Sequence, residues 1–293
     1  MEKNQKLNIA VGLDLSTMDQ YLLQYMQVLD QILDINKVTY IHNLKLGELP
    51  KELLQPDRIY LIKEKITSKL SQYFKEAGVS YDFDIVVTVE GYTELAFMNL
   101  SKKSVYDLLV LGNKQELEGT GALADKLVRI FPSAILLVPD TYKVPITTII
   151  DAIDFSKYTV DIMNWADRFK NNSKGQKIAH SAVHISKSYM GFYPTMTNKE
   201  LEKVTKEDIK EKQEKWNKRY ATYSDIDIVP AGERNISASL IEYVRNKDAD
   251  LLILGVKGTT GFKEIFLGSV ANHLLHRPTR TCLLFVKQSK LGK

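Results

Sequence analysis

One stretch of the sequence decides the interpretation of this chain: Leu254-Gly255-Val256-Lys257-Gly258-Thr259-Thr260-Gly261-Phe262-Lys263-Glu264-Ile265-Phe266-Leu267-Gly268-Ser269. It follows the apolar run Asp250–Ile253, which has the length of a strand, and it precedes Val270–Leu275, which predicts the first turns of a helix. Glycines therefore stand where a strand ends and where a helix begins. Such a loop lets backbone N–H groups approach an anion closely, so the stretch favours a ligand that carries phosphate.

The spacing of the glycines is specific. Two residues separate Gly255 from Gly258, nine separate Gly258 from Gly268, and Ser269 follows at once. This pattern matches the G-x2-G-x9-G-[ST] nucleotide-binding signature of the universal stress protein family, which the chain resembles here. It is not a Walker loop, because no Gly-Lys-[Ser/Thr] closes it. A glycine-rich connection without a ligand is the alternative interpretation.

The N-terminal half of the sequence repeats the order of the C-terminal half. Three segments align: Asp107–Lys114 with Asp250–Lys257, Leu13–Ser16 with Ile153–Ser156, and Gly121–Ala124 with Gly268–Ala271. Copies of this length predict the duplication of a whole domain and exclude the short periods of solenoid repeats. We expect domains at 1–143 and 144–293, joined by a linker at Pro139–Pro145.

Apolar runs of strand length alternate with helical periodicity in both halves. In the first half, for example, Tyr21–Ile35 predicts a helix and Val38–His42 predicts a strand. Buried strands that alternate with helices indicate an α/β fold, here two tandem doubly wound (Rossmann-like) domains. The resemblance implies a five-stranded parallel sheet in each, with helices on both faces. Such sheets bind ligands at the carboxyl ends of their strands.

The resemblance also implies a nucleotide site in the second domain. Its residues would be Asp154, Ile185, Leu254, Gly255, Lys257, Gly258, Gly268, Ser269 and Val270. Asp154 would hydrogen-bond the adenine or ribose, the backbone of Ile185 would contact the base, and the glycine loop would hold ribose and phosphates. The ligand would be ATP or AMP, and Ala271, which stands where some relatives have a hydroxyl, leaves a requirement for Mg open. For Asp154 the alternative is a turn or helix-capping residue.

The first domain keeps only part of this pattern. Asp14 and Gly112 are present, but Gln115 replaces the second glycine and Ala122 replaces the serine. The segment from Gly112 to Gly121 is also four residues shorter than its counterpart. A shorter loop with fewer glycines brings fewer backbone donors to a phosphate chain, which predicts a degenerate site with a structural role.

Composition limits the kinds of molecule that the protein is expected to bind. The 293 residues include 40 basic and 36 acidic side chains, and a net charge of +4 does not indicate binding to nucleic acid or to a membrane surface. No apolar run approaches the ~20 residues of a membrane helix. The single cysteine, Cys282, lies in an apolar run, which predicts a buried thiol and a reducing cytoplasm. His273 and His276 lack the companions of a metal site, so neither a metal nor a catalytic residue is predicted.

The expected function is that of a cytoplasmic universal stress protein that binds an adenine nucleotide and regulates a stress response. One alternative is a weak ATPase or nucleotide-transferring enzyme, and another is a dimerisation module with empty sites. The last strands, Ala134–Val138 and Thr281–Val286, would be apolar edges. We expect the two domains to pair through them within one chain, and pairing between two copies of the chain is the alternative.

Overall fold

The computed structural model describes residues 6–115, 117, 122–171, 177–187, 196–220, 223, 225–232, 234–257 and 267–288. Its chain divides into two compact units, and the boundary falls between Lys143 and Val144. Each unit alternates parallel strands with helices.

Five strands and four helices make up the first unit. The strands are β1 (Leu7–Leu13), β2 (Ile35–Lys45), β3 (Phe83–Glu90), β4 (Leu108–Asn113) and β5 (Ala134–Pro139). The helices are α1 (Met18–Ile32), α2 (Pro56–Glu76), α3 (Thr93–Lys103) and α4 (Ala122–Ile130). Two short 3-10 turns, Leu46–Glu48 and Lys51–Leu53, lie between β2 and α2.

The sheet of the first unit has the strand order β3-β2-β1-β4-β5, and every neighbouring pair is parallel. The chain moves outward from β1 to β3 and then returns to β4 on the other side of β1. Because such crossovers are right-handed, α1 and α2 cover one face of the sheet and α3 and α4 cover the other. The central strands β1 and β4 are buried on both faces, which explains why they are apolar at successive positions.

The second unit has the same plan. Its strands are β6 (Thr148–Ala152), β7 (Ala179–Ser186), β8 (Ile226–Pro230), β9 (Leu251–Gly255) and β10 (Cys282–Val286). Its helices are α5 (Thr159–Asn171), α6 (Asn198–Tyr220), α7 (Ile236–Asn246) and α8 (Ser269–Leu275). The strand order is β8-β7-β6-β9-β10, again all parallel. The predicted fold class, two doubly wound α/β domains with five parallel strands each, is confirmed.

Capping side chains determine where helices α6 and α7 begin. Before α6, the backbone N–H of Thr197 donates to the Glu200 carboxylate at 2.8 Å, and the Thr197 hydroxyl accepts the Glu200 N–H at 3.3 Å, which is a capping box. Along α6, whose residues are all described, Trp216 alone is buried, so most of this helix faces solvent. The Asn235 side chain caps α7 by accepting the N–H of Ala238 at 2.8 Å.

One pair of predicted boundaries in the first unit was wrong. Helix α1 begins at Met18 and ends at Ile32 instead of covering Tyr21–Ile35, and β2 covers Ile35–Lys45 instead of Val38–His42. The helix starts early because the Ser16 hydroxyl accepts the N–H of Met18 at 3.2 Å. The strand is longer because tertiary pairing with β1 and β3 holds its polar ends in an extended conformation.

Cys282 is 1% exposed within β10, which confirms a buried thiol. Of the helices in the part of the chain that the structure describes, none is long and apolar enough to cross a membrane.

Candidate functional site

The described residues of the predicted site in the second unit lie at the carboxyl edge of its sheet. Strand β6 pairs with β7 on one side and with β9 on the other, and Ala152 is aligned with both Val183 and Leu254. The residues that follow these positions, Asp154 and Gly255 among them, therefore leave the sheet next to one another. This is the point at which the strand order reverses, where open α/β sheets hold their ligands.

A hydrogen-bonded turn positions Asp154. Its carboxylate Oδ1 accepts the N–H of Ser156 at 2.9 Å, and the Ser156 hydroxyl accepts the N–H of Tyr158 at 3.2 Å. Phe155, which lies between Asp154 and Ser156, has a φ of 57°. This is the left-handed region, where a bulky side chain is strained. One carboxylate oxygen of Asp154 is thus engaged in a structural hydrogen bond, as expected if Asp154 is a turn residue. The turn also places the half-buried carboxylate at the carboxyl edge of the sheet.

The second strand contributes a histidine that the sequence interpretation did not include in the site. Nδ1 of His184 lies 2.7 Å from the carbonyl oxygen of Ile153, and its ring packs against Phe155 with centroids 4.9 Å apart. Burial lowers the pKa of His184, although the hydrogen bond to Ile153 acts in the opposite direction. A neutral ring whose Nδ1 donates to a carbonyl presents Nε2 as an acceptor. Ile185 follows with a buried side chain, and its backbone is aligned with Val229 of β8.

A backbone hydrogen bond holds the start of α8 close to the end of β9. The N–H of Gly268 donates to the carbonyl of Val256 at 2.8 Å, which brings Ser269 and Val270, the first residues of α8, back to the end of β9. A Cβ on Gly255 would lie 3.1 Å from Cβ of Tyr158, so glycine allows the first turn of α5 to approach the strand. Leu254 is buried and Lys257 is half-buried. Gly258 lies outside the described residues.

The first unit contains the same turn. Asp14 Oδ1 accepts the N–H of Ser16 at 3.0 Å, Leu15 has a φ of 61°, and Nδ1 of His42 lies 3.1 Å from the carbonyl oxygen of Leu13. Gly112 approaches α1 as Gly255 approaches α5, since a Cβ there would lie 2.4 Å from Cγ of Met18. The aligned segments of the sequence therefore have equivalent positions in the two units.

A cavity of about 550 Å³ opens at this edge of the first unit, which the sequence did not predict. Three of its lysines face carboxylates: Lys114 lies 2.8 Å from Asp14, Lys126 lies 2.7 Å from Glu94, and Lys45 lies 2.7 Å from Glu48. Burial raises the pKa of Asp14, but the hydrogen bonds from Lys114 and Ser16 outweigh it, so the pKa is lowered. The signal available in the sequence was an acid and a lysine, Asp14 and Lys114, that follow neighbouring strands β1 and β4.

Asp19 adds a further carboxylate to this cavity. Its Oδ1 accepts the N–H of Asp14 at 3.1 Å and its Oδ2 accepts the N–H of Leu15 at 2.9 Å. Burial raises the pKa of Asp19 to about 7, with a smaller contribution from the charge of Asp14, while the backbone hydrogen bonds lower it. In the second unit the corresponding first-turn residue is Thr159.

Residues 145–285 match the model of the universal stress protein family. This segment belongs to the universal stress protein family. The universal stress protein Sll1388 of Synechocystis is 24% identical over 139 residues, which cover 44% of this chain and 90% of that protein. The universal stress protein MJ0531 of Methanocaldococcus jannaschii is 33% identical over 82 residues, 28% of this chain and 44% of that protein.

Solved structures share the fold over nearly the whole chain. A universal stress protein from Archaeoglobus fulgidus matches with a TM-score of 0.68 and 13% identity, covering 96% of this chain and 98% of that one. A functionally unknown protein from Pseudomonas aeruginosa PAO1 matches with a TM-score of 0.67 and 13% identity, covering 97% of this chain and 93% of that one. Within the described ranges of this chain, no group of three or more His, Cys, Asp or Glu side chains could hold a metal ion.

Proposed function

We propose that the second unit binds an adenine nucleotide, ATP or AMP, and that occupancy of this site regulates a stress response. Family membership supports the stress-response role. The main support for nucleotide binding is that Asp154, Gly255 and the Gly268–Ser269 segment lie at the same edge of the sheet. The 2.8 Å hydrogen bond from Gly268 to Val256 holds the last of these at that edge. Regulation requires that the nucleotide bind one conformation, or one partner-bound state, more tightly than the other.

We also propose that the chain is a tandem of two universal stress protein domains. The family model matches residues 145–285, and the support for the first domain is the equivalent strand order and the equivalent Asp14 and Asp154 turns.

In this proposal the first unit does not bind the nucleotide's phosphates. Its loop N–H groups at Gln115 and Leu117 already donate to the Asp140 carboxylate, at 2.9 and 2.8 Å. A phosphate chain would also have to approach the carboxylates of Asp14 and Glu94, whose neighbouring lysines are engaged in ion pairs. Like charges at short range oppose such binding.

The test is calorimetric titration of the full chain with ATP and with AMP, together with identification of any nucleotide released when freshly purified protein is denatured. We expect one site per chain. Gly268→Trp should abolish binding because the indole would fill the space before α8, whereas Gly121→Trp, the matched change in the first half of the aligned sequence, should leave it intact. Two equivalent sites, or unchanged affinity after Gly268→Trp, would contradict the proposal.

A regulatory site predicts little turnover. Positioning without an activated water gives a slow reaction, so we expect ATP hydrolysis near the background rate. Multiple turnovers that Ser269→Ala abolishes would favour the enzyme interpretation instead.

A further inference from the structure

The second unit contains a small cavity between one face of its sheet and the helices α5 and α6. Its volume is about 40 Å³. Asp151 of β6 and His180 and Ala182 of β7 line it from the sheet, and Trp216 of α6 lines it from the helices. Ala182 is aligned with Asp151, and His180 precedes it by two residues, so the three side chains share one face of the sheet. None of the predicted nucleotide-site residues lines this cavity.

The first unit has a large side chain in the equivalent place. Tyr40 is aligned with Val11 of β1, as Ala182 is aligned with Asp151 of β6. The ring of Tyr40 is fully buried and packs against Phe74 with centroids 4.5 Å apart. Alanine in place of this tyrosine removes the ring, which explains why the space exists in the second unit.

Two ionisable side chains of the second unit lie against this space. Val11 and Val38 of the first unit, both fully buried, are replaced by Asp151 and His180, whose side chains are each only 7% exposed. Oδ2 of Asp151 lies 3.9 Å from Nδ1 of His180, which is too far for a direct hydrogen bond. Within the part of the chain that the structure describes, Oδ1 of Asp151 and Nε2 of His180 have no hydrogen-bond partner. Because buried polar atoms without partners are destabilising, both atoms require a ligand.

Water is the ligand that suits the size and the polarity of the cavity. A buried water molecule needs about 10–15 Å³, so the cavity has room for one to about three. Apolar cavities stay dry, whereas buried water binds to polar groups such as these. Water also bridges polar atoms that are too far apart to bond directly. The described residues supply no group of three metal-binding side chains, which disfavours a metal ion.

We propose that water in this cavity bridges the carboxylate of Asp151 and the imidazole of His180, and that this hydrated pair makes the stability of the second unit depend on pH. The inference involves neither the glycine loop nor a nucleotide, so it stands apart from the proposed function.

The direction of the pH dependence follows from the surroundings of Asp151. Burial raises the pKa of Asp151, the interaction with His180 lowers it, and the charge of Asp167 raises it, with a net increase above 3.8. The other titratable groups among the described residues that line the cavity are Lys170 of α5 and Tyr223, which follows α6. The folded protein therefore binds more protons than the unfolded chain at pH values above 3.8. The contribution of protonated Asp151 to stability is present at low pH and is lost as the pH rises through its pKa in the folded protein.

The first experiment measures the thermal midpoint of the full chain at about pH 5 and about pH 8 by circular dichroism. Asp151→Asn keeps two polar atoms for water and removes the charge. Its midpoint relative to the wild type should be about 3 °C higher at the upper pH than at the lower. Asp225→Asn, at an exposed carboxylate before β8, is the control and should show the same shift at both pH values. If the shift caused by Asp151→Asn is also the same at both, the inference is overturned.

A second experiment tests the water by filling the cavity. Ala182→Leu should displace the water and leave Asp151 and His180 without partners, lowering the thermal midpoint by about 5 °C. In a chain that also carries Asp151→Val and His180→Val, which restore the apolar pair of the first unit, the same change should lower it by much less. An equal loss in both backgrounds would indicate a steric clash alone and would overturn the water site.

A crystal structure of the wild-type full chain tests the site directly, whether or not the Ala182→Leu variants fold. We expect ordered water within hydrogen-bond distance of Oδ1 of Asp151 and Nε2 of His180. An empty cavity, a bound cation, or a direct bond between the two side chains without water would overturn the inference.

Discussion

The two units differ most where their last strands end. In the first, Asp140 follows β5 and accepts hydrogen bonds from the loop N–H groups of Gln115 and Leu117. In the second, Lys287 follows β10. The strand order and the aspartate turn are the same in both, so a single fold presents a carboxylate at one edge and a lysine at the other.

This comparison shows which parts of the site belong to the fold and which to the ligand. The Asp14 and Asp154 turns, the His42 and His184 contacts and the Gly112 and Gly255 approaches occur in both units. They therefore belong to the shared fold and do not by themselves distinguish the two edges. The residues that differ include Asp19 in place of Thr159 and Asp140 in place of Lys287, and they give the two edges different charges.

The largest expected effect is on the free energy of unfolding, and it tests the close packing around Gly112 and Gly255 that the two units share. Gly112→Ala would place a Cβ 2.4 Å from Cγ of Met18, whereas Gly255→Ala would place one 3.1 Å from Cβ of Tyr158. We expect Gly112→Ala to lower the free energy of unfolding by about 3 kcal/mol and Gly255→Ala by about 1 kcal/mol, because overpacking costs grow with the clash. Urea denaturation followed by circular dichroism measures both. Gly112→Ala should cost less in a Met18→Ala background than in the wild type, because the clashing side chain is then absent. Equal losses at the two glycines in the wild-type background would refute the difference in packing.

The next effect concerns pH in the first unit. Asp19 has a pKa of about 7 in the folded protein against an ordinary value of 3.8, so the folded state binds more protons between these values. Its contribution to stability is present below about pH 4 and is lost as pH rises through about 7. Asp19→Asn should therefore reduce the loss of unfolding free energy between pH 5 and pH 7.5 by about 2 kcal/mol, even though it also removes a backbone hydrogen bond. Urea midpoints at the two pH values provide the measurement, and an unchanged pH dependence would exclude Asp19 as its source.

Much of the fold could be predicted from the sequence, because buried parallel strands are apolar throughout and are separated by helical periodicity. The predicted boundaries were wrong where tertiary pairing extends a strand. In β2, for example, Lys37 pairs with Asn8 of β1 and Asn43 pairs with Thr88 of β3, and both lie outside the predicted segment. The Asp154 turn and the glycine spacing were visible as local patterns. The cavity of the first unit was not, since it depends on side chains from separate elements, such as Lys126 on α4 and Glu94 on α3.

A third prediction compares the two equivalent lysines. Lys114 pairs with Asp14 at 2.8 Å, whereas Lys257 is proposed to face the ligand. Lys257→Met should weaken ATP binding about tenfold through loss of a charged contact. Lys114→Met should leave the affinity within about twofold and the stoichiometry at one site per chain. Calorimetry on both variants measures this, and a weakening by Lys114→Met equal to that by Lys257→Met would place the nucleotide in the first unit as well.

The smallest effect addresses the histidines beneath the two turns. His42→Phe and His184→Phe keep a ring of similar size but leave the carbonyls of Leu13 and Ile153 without their Nδ1 partner. The shorter contact, 2.7 Å at His184 against 3.1 Å at His42, favours a larger loss in the second unit, but the bond of His42 is the more deeply buried of the two. These differences oppose each other, so we expect each variant to lose about 1 kcal/mol of unfolding free energy. Thermal denaturation of the two variants in parallel tests this, with each serving as the control for the other. A loss confined to His184→Phe would show that the second turn depends on its histidine in a way the first does not, and the shared geometry would then have separate origins in the two units.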